Sequence, residues 1–446
     1  MSQRLAPSPN GQPALQARLA RVHGLLEQRQ TVSAELELRA LVSEQPQCAE
    51  AWLLLAELAD WRGDEAQALS LARRAHDTDP ADVRASLLLA QNLLRADRLP
   101  EGVATLERLV ARHPTDFVGW LALGEALERM GRIDLASSAR YQGLTRGQKA
   151  GFLLSTETTP PAWRPQIKDI IAQVNLAAES CVSDGLAHLR NQFGPDDLRR
   201  VEHAMAVYQG RAQDAPRSAH QAPKFLYFPG LPEGPYHDPF LHPWAQNLLD
   251  GYEAIRTEAL DVLDAQVGLE GFLKFQPGQS KAEYLGGAGA DPAWDAFFFY
   301  RHGKIYADNH QRCPATSAVL KSADLCHVQA QAPEICFSVL QPGTHIMPHH
   351  GVTNTRLVMH LPLLVPPECA LNVHGGGEHA WRERELVMFD DTYRHEAWNR
   401  SGQTRVVLLM DCWNPHLTPV ERIAVKHLVE QIGAFENYAP VYSSAS

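Results

Sequence analysis

The chain has 446 residues, too many for one ordinary hydrophobic core, so two or three domains are expected. A hydrophobic content of 45% with 21% charged residues fits a soluble globular protein, and a net charge of −11 argues against a general nucleic-acid binder, which carries a basic surface. Seven cysteines without a Cys-x-x-Cys pair read as reduced thiols, not as a disulfide framework or a zinc knuckle.

Residues 1–13 are polar, rich in Pro, Ser and Gln, and expected to be disordered. They lack the continuous apolar stretch of a secretory signal, and no later segment reaches the length of a membrane span, so the expected compartment is the cytoplasm. Residues 14–148 repeat. Pro46, Pro80 and Pro114 fall 34 residues apart. Trp52, Leu55, Ala56, Gly63, Ala68 and Ala75 precede Pro80, and Leu89, Ala90 and Leu106 precede Pro114. Trp120, Leu123, Gly124, Gly131 and Ala136 follow one period on. The pattern resembles the tetratricopeptide repeat, with roughly three full units after a degenerate first one. Small residues let paired helices approach, large ones fill the gap, and proline ends each unit. No unit buries its apolar side alone, so neighbours stack into a solenoid. The concave face of such an array commonly holds a peptide or partner protein; a structural or dimerising role is the alternative.

Residues 149–214 read as a helical connector and linker. Ile167, Ile170, Ile171 and Val174 recur at helical spacing, as do Leu186, Leu189 and Phe193. Gly194-Pro195 interrupts the helix before Leu198, Val201 and Met205 resume it, and Arg211 to Pro223 is a polar linker. The remainder, residues 215–446, forms the C-terminal domain. From Lys224 short β-branched or aromatic runs alternate with Pro/Gly turns, as in an antiparallel barrel or sandwich.

Within it Glu334 to Leu340 reads as a strand ended by the Gln341-Pro342-Gly343 turn, with His349-His350-Gly351 on the following loop. Thr355 to Leu363 is the next apolar run. Leu386 to Phe389 is a short strand delivering Asp390, Asp391 and His395 to its end. Arg405 to Trp413 is a last strand, and Thr418 to Ile432 a helix capped by Thr418. The order suits a double-stranded β-helix, a jelly roll that holds metals at its open mouth. His349, His395 and Arg405 come in the order that a metal centre binding a dicarboxylate requires: imidazole suits Fe(II), and a planar guanidinium grips a carboxylate with two parallel hydrogen bonds.

Longer motifs run through this region. They are Pro342-Gly343-Thr344-His345, Pro348-His349-His350-Gly351, Thr353-Asn354, Arg356-Leu357 and His360-Leu361. Phe389-Asp390-Asp391, His395-Glu396-x-Trp398, Asp411-x-Trp413 and Leu417-Thr418-Pro419-x-Glu421-Arg422 follow, with Pro229-Gly230-Leu231-Pro232 and Phe297 to Tyr300 upstream. Over roughly residues 215 to 430 the chain resembles the aspartyl/asparaginyl β-hydroxylase family. The resemblance implies an Fe(II)- and 2-oxoglutarate-dependent dioxygenase that uses O2, with the iron held by His349 and His395 only. The commoner facial triad has a carboxylate where this chain has Gly351. The resemblance also implies that Arg405 pairs with the distal carboxylate of 2-oxoglutarate, that Ser338 donates a hydroxyl to the same group, and that His360 meets the proximal end. An arginine of the animal members two residues before that histidine is Val358 here, which leaves the substrate class open. Arg356 is a candidate substrate contact. The expected reaction hydroxylates an aspartyl, asparaginyl or related residue of a peptide or protein recruited by the repeats, with 2-oxoglutarate decarboxylated to succinate. The alternatives are a lipid or small-metabolite hydroxylase, or a repeat-based scaffold with an inactive oxygenase domain.

Neighbouring residues have simpler readings. His350 reads as a loop residue, His345 as a partner outside the ligand shell, and His374 and His379 as flanks of a glycine-rich turn. Asp390 and Asp391 form a turn or orient a histidine, with ligation the alternative. Arg356 pairs with one of them if it does not touch substrate. Cys313 and Cys336 read as small buried hydrophobes.

Overall fold

The computed structural model describes residues 11–275, 279–287, 292–438 and 440–441. Residues 1–10, most of the start expected to be disordered, lie outside the described residues. Two compact units result: residues 1–178 with 434–446, and Glu179–Gly433.

The first unit is a row of helix pairs, α1 (Gly11–Glu27) with α2 (Thr31–Glu44), α3 (Ala49–Trp61) with α4 (Glu65–Thr78), α5 (Val83–Arg95) with α6 (Leu99–Arg112), and α7 (Phe117–Arg129) with α8 (Ile133–Lys149). The period is visible in its contacts. Trp52 Nε1 donates to the Pro46 carbonyl at 2.8 Å, and Trp120 repeats the bond to Pro114 at 3.1 Å. Asp64, Asp82 and Asp116 cap α4, α5 and α7 by accepting from backbone N–H groups of the first turn. Gly124 shows why small residues recur. A Cβ there would lie 2.5 Å from Cγ of Arg140, so α7 and α8 touch backbone to side chain. The end of the chain departs from the expected boundary, because 434–446 belongs to this unit and not to the β domain. Tyr438 packs edge-on against Trp120, with ring centroids 5.5 Å apart, and this burial outweighs simple chain continuity.

The helix α9 (Arg164–Phe193) ends where Gly194 takes φ 86° and Pro195 opens α10 (Pro195–Tyr208), as the Gly-Pro step requires. The second unit then adds α11 (Ala245–Asp250), α12 (Tyr252–Ala265), α13 (Ala307–Arg312), α14 (Pro314–Lys321) and α15 (Pro419–Glu436). Thr418 and Glu421 cap α15 reciprocally, each side chain accepting from the other's backbone N–H at 3.2 and 2.9 Å.

Its strands are β1 (Tyr236–His237), β2 (Glu270–Gly271), β3 (Leu285–Gly287), β4 (Trp294–Arg301), β5 (Lys304–Ile305), β6 (Ile335–Leu340) and β7 (Thr344–His349). They continue as β8 (Arg356–Leu364), β9 (Cys369–Val373), β10 (Gly377–Ala380), β11 (Val387–Phe389), β12 (His395–Asn399) and β13 (Arg405–Trp413). An eight-stranded antiparallel sheet runs β1-β11-β8-β13-β6-β4-β2, with β5 on β4, and a five-stranded one runs β10-β9-β12-β7-β3. Both are the sheets of a jelly roll.

Alternation decides what each sheet offers. In β8 Leu357, Met359, Leu361 and Leu363 share a core with α11 and α12, as do Phe337 and Val339 of β6 and Leu408 and Met410 of β13. The opposite parity, Ser338, Val358, His360, Arg405 and Leu409, lines a cavity.

Two local expectations need correction. His349 ends a strand and does not sit on a loop, although Pro348 precedes it. The pairing of β7 with β12 skips there: His395 faces His349, but Ala397 faces Ile346. The skipped residues Met347 and Pro348 form a bulge, where the missing proline N–H costs no ladder bond. Likewise His395 opens β12 and is not delivered by the end of β11; the Asp390–Arg394 turn separates the two.

Candidate active site

His349 and His395 lie directly opposite on neighbouring strands, with ring centroids 4.1 Å apart and planes tilted by 53°. Each ring is fixed the same way. Nδ1 of His349 is 2.8 Å from the Met347 carbonyl, and Nδ1 of His395 is 2.9 Å from that of Tyr393. A carbonyl accepts only, so both Nδ1 atoms carry hydrogen and both Nε2 atoms are left as bare nitrogens, the form that binds a metal. Burial lowers the pKa of His349, and burial followed by the His349 ring pushes that of His395 down to about 3. Among the described residues no group of three or more His, Cys, Asp or Glu side chains is placed to hold a metal.

The other sequence candidates line the same cavity of about 180 Å³: Arg405, Ser338, His360 and Arg356. Arg405 is 1% exposed and is the largest fully buried side chain of the described residues. Its Nη1 donates to the Ser338 carbonyl at 3.2 Å and hydroxyl at 3.3 Å, and its guanidinium carbon lies 4.6 Å from the Trp381 ring centroid. Nothing accepts from its Nε, and no carboxylate is paired with it among the described residues. Burial pushes its pKa down to about 10. Ser338 Oγ also accepts from Trp294 Nε1 at 2.9 Å, so its own hydrogen is free to be donated. Both ring nitrogens of His360 are buried without a partner, and so is Nε1 of Trp381, whose ring centroid is 5.8 Å from that of His360. Burial, then Arg405, holds His360 well below the usual imidazole range. One wall therefore collects a cation and several unsatisfied polar atoms, which an anionic oxygen ligand would satisfy.

Asp391 also lines this cavity. A Cβ on Gly351 would lie 2.1 Å from its carboxylate, and its Oδ1 has no partner. A carboxylate from the β11–β12 turn thus fills the space that a side chain at position 351 would enter. Burial pushes its pKa up to about 8. Asp390 is a turn former instead: it accepts from the Thr392 N–H and hydroxyl and from Gln221. We predict that Gly351→Asp lowers stability by roughly 1–3 kcal/mol through overpacking, and that Gly351→Asp with Asp391→Gly recovers it. Thermal midpoints of the two variants check this; a stable single variant would contradict it.

Arg356 pairs with neither Asp390 nor Asp391. Its Nη1 lies 2.9 Å from Asp411 Oδ2, because residues 356 and 411 occupy neighbouring strands two places from the register pair Arg356–Trp413. His350 bonds the Thr392 carbonyl, and His345 bonds Glu396 at 2.8 Å, both outside the imidazole pair. Cys313 and Cys336 are buried thiols. Sequence reasoning missed Trp294, Trp381 and Phe272. Trp294 was findable, since it shares the parity of Ala296 and Phe298 and opens the aromatic run; its ring stacks on Phe272 at 3.7 Å. No spacing points to Trp381.

Beside this cavity, sharing Phe272, Glu334 and Arg356 with it, lies an open cleft of about 1020 Å³. Lys274, Arg301, Lys304 and Arg356 outnumber Glu334 among its charged walls.

Residues 250–415 match the family model described as aspartyl/asparaginyl beta-hydroxylase, and residues 62–127 match a tetratricopeptide repeat model. The chain is 30% identical over 177 residues to mouse aspartyl/asparaginyl beta-hydroxylase, covering 40% of this chain and 22% of that protein. It is 34% identical over 198 residues to the ornithine lipid ester-linked acyl 2-hydroxylase of Rhizobium tropici, covering 44% and 66%. It is 36% identical over 135 residues to human aspartate beta-hydroxylase domain-containing protein 2, covering 30% and 36%. The match thus spans about a fifth of the length of the mouse relative and less than two thirds of the human one.

Proposed function

We propose, for a chain that carries an aspartyl/asparaginyl β-hydroxylase family domain after tetratricopeptide-like repeats, an Fe(II)- and 2-oxoglutarate-dependent dioxygenase that hydroxylates a peptide or protein. The observation that carries this reading is Arg405, a buried cation without a carboxylate partner among the described residues, in one cavity with two imidazoles whose Nε2 atoms are bare. A buried guanidinium is costly unless an anion meets it.

His349 and His395 hold the ferrous ion through Nε2. Arg405 and the Ser338 hydroxyl hold the distal carboxylate of 2-oxoglutarate, while His360 has ring nitrogens free for the rest of it. With dioxygen, the bound iron and 2-oxoglutarate supply one oxygen atom to a C–H bond as the 2-oxo acid loses carbon dioxide and becomes succinate. Phe272, Trp294, Ile346, Leu371 and Leu409 keep water from the reacting centre. Arg356 stands on both the cavity and the cleft, where a substrate side chain enters.

The repeats, and an open cleft that presents Lys304 beside the ion-paired Lys274, Arg301 and Arg356, favour a peptide with acidic or amide side chains. The lipid alternative is motivated by the Rhizobium relative and by Val358, which leaves the inner cavity apolar on that side. Incubating the protein with iron, 2-oxoglutarate, and either a peptide library or ornithine lipids, then reading succinate and a one-oxygen mass gain, separates the two. Peptide oxidation is expected. Oxidation of lipid alone would overturn the substrate class, and succinate from neither would count against the enzyme.

A further inference from the structure

Trp381 stands behind two of the residues that line the cavity. It follows β10, the edge strand of the smaller sheet, and packs in one core with Cys369, Leu371, Val387 and Phe389. It is 4% exposed. Its ring meets Arg405, which opens β13 in the larger sheet, with the guanidinium carbon 4.6 Å from the ring centroid.

The hydrogen bonds of Arg405 do not fix its direction. A guanidinium has five N–H donors. Among the described residues the bonded ones leave from Nη1, at 3.2 and 3.3 Å to the two oxygens of Ser338, while Nε has no partner. A single bonded nitrogen is a pivot about which the plane turns. The Trp381 ring removes that freedom, because the negative face of an indole attracts a cation placed over it. The indole has a cost in return. Its Nε1 is buried without a partner among the described residues, an unsatisfied N–H that a phenyl ring would not carry. Packing alone therefore does not call for tryptophan here, whereas holding a cation does, since indole is the best aromatic face for one. His360 is placed differently. Its ring lies 5.8 Å from that of Trp381 but also 5.3 Å from that of Phe389, at 75°, so it keeps a ring contact when Trp381 is replaced.

The geometry points to Trp381 as a positioning residue for the cosubstrate: its face holds the Arg405 guanidinium in the plane that meets the distal carboxylate. This inference rests on the reading of Arg405 as the anchor of 2-oxoglutarate. A guanidinium freed from the ring meets the carboxylate in only part of its orientations, and apparent affinity falls by that fraction.

The test measures binding to the full chain with ferrous ion, oxygen excluded, by calorimetry. The probes are 2-oxoglutarate and 2-oxopentanoate, which has a methyl group in place of the distal carboxylate. Trp381→Leu should weaken 2-oxoglutarate binding by about ten-fold, or about 1.4 kcal/mol, within what a desolvated cation–π contact supplies. Its affinity for 2-oxopentanoate should not change, a split that general loosening of the cavity does not produce. Trp381→Phe keeps a weaker ring face and should lose only about three-fold for 2-oxoglutarate. Thermal midpoints establish that each variant is folded; if the leucine variant is not, the phenylalanine variant carries the test, and wild-type affinity in it would overturn the inference. Unchanged 2-oxoglutarate affinity in a folded leucine variant, or equal losses for both probes, would also overturn it. A wild type that does not bind 2-oxoglutarate would overturn the reading of Arg405 itself, and the inference with it.

Discussion

Arg405→Met is expected to leave the empty protein folded and to weaken 2-oxoglutarate binding by roughly 100-fold. The loss follows from hydrogen bonds to charged groups, worth about 1.5–3 kcal/mol each, of which a carboxylate gripped by the guanidinium forms two, partly offset by water and Ser338. The stability expectation has the opposite sign. Arg405 is buried with its Nε unbonded and no paired carboxylate, so methionine of similar volume removes a desolvated charge and costs little. A 2-oxoglutarate titration and a thermal scan of the ligand-free variant read the two effects separately. A destabilised variant with unchanged 2-oxoglutarate affinity would mean that Arg405 is a structural cation, held by Ser338 and Trp381.

The second large effect concerns the imidazole pair. His349→Ala with His395→Ala should abolish iron uptake, and each single change should raise the iron needed for half-maximal succinate formation by at least about 10–100-fold, the loss typical even of residues that only support a ligand. The two rings are not equivalent to their neighbours. His350 and His345 carry the same side chain nearby but bond Thr392 and Glu396, so His350→Ala and His345→Ala should change the iron requirement far less. Iron dependence unchanged in the double variant would remove both residues from the site.

Much of this arrangement is legible without coordinates, for reasons that differ from element to element. The helical unit is readable because its period is local: Pro46, Pro80 and Pro114 mark turns, and Trp52 and Trp120 make the same bond to the proline carbonyl six residues back. The strands carrying Ser338, His360 and Arg405 are readable because they are apolar runs interrupted by one or two polar residues: Ser338 in β6, Arg356 and His360 in β8, Arg405 and Asp411 in β13. What pairs them is not local. His349 and His395 meet only because β7 and β12 are neighbours in the smaller sheet, although β8 to β11 intervene in sequence. Pro348 makes the end of β7 look like a turn, and only the bulge against β12 shows why a strand tolerates it. Asp391 could not be told from Asp390 by sequence, since the two differ in where the turn aims them: one accepts two hydrogen bonds from Thr392 within its turn and a third from Gln221, the other lies against Gly351. The attachment of Tyr438 to Glu107 spans 331 residues and has no sequence signature beyond a tyrosine.

Oxygen-free titration of the metal-stripped chain with ferrous ion and then 2-oxoglutarate tests the centre of the account most directly. One ferrous ion per chain is predicted, with a visible charge-transfer absorption that appears only when 2-oxoglutarate is added. Both signals should vanish in the His349→Ala, His395→Ala double variant, and the second should need far more 2-oxoglutarate in Arg405→Met. Iron binding that survives loss of both imidazoles, or 2-oxoglutarate that binds equally well without Arg405, would contradict it.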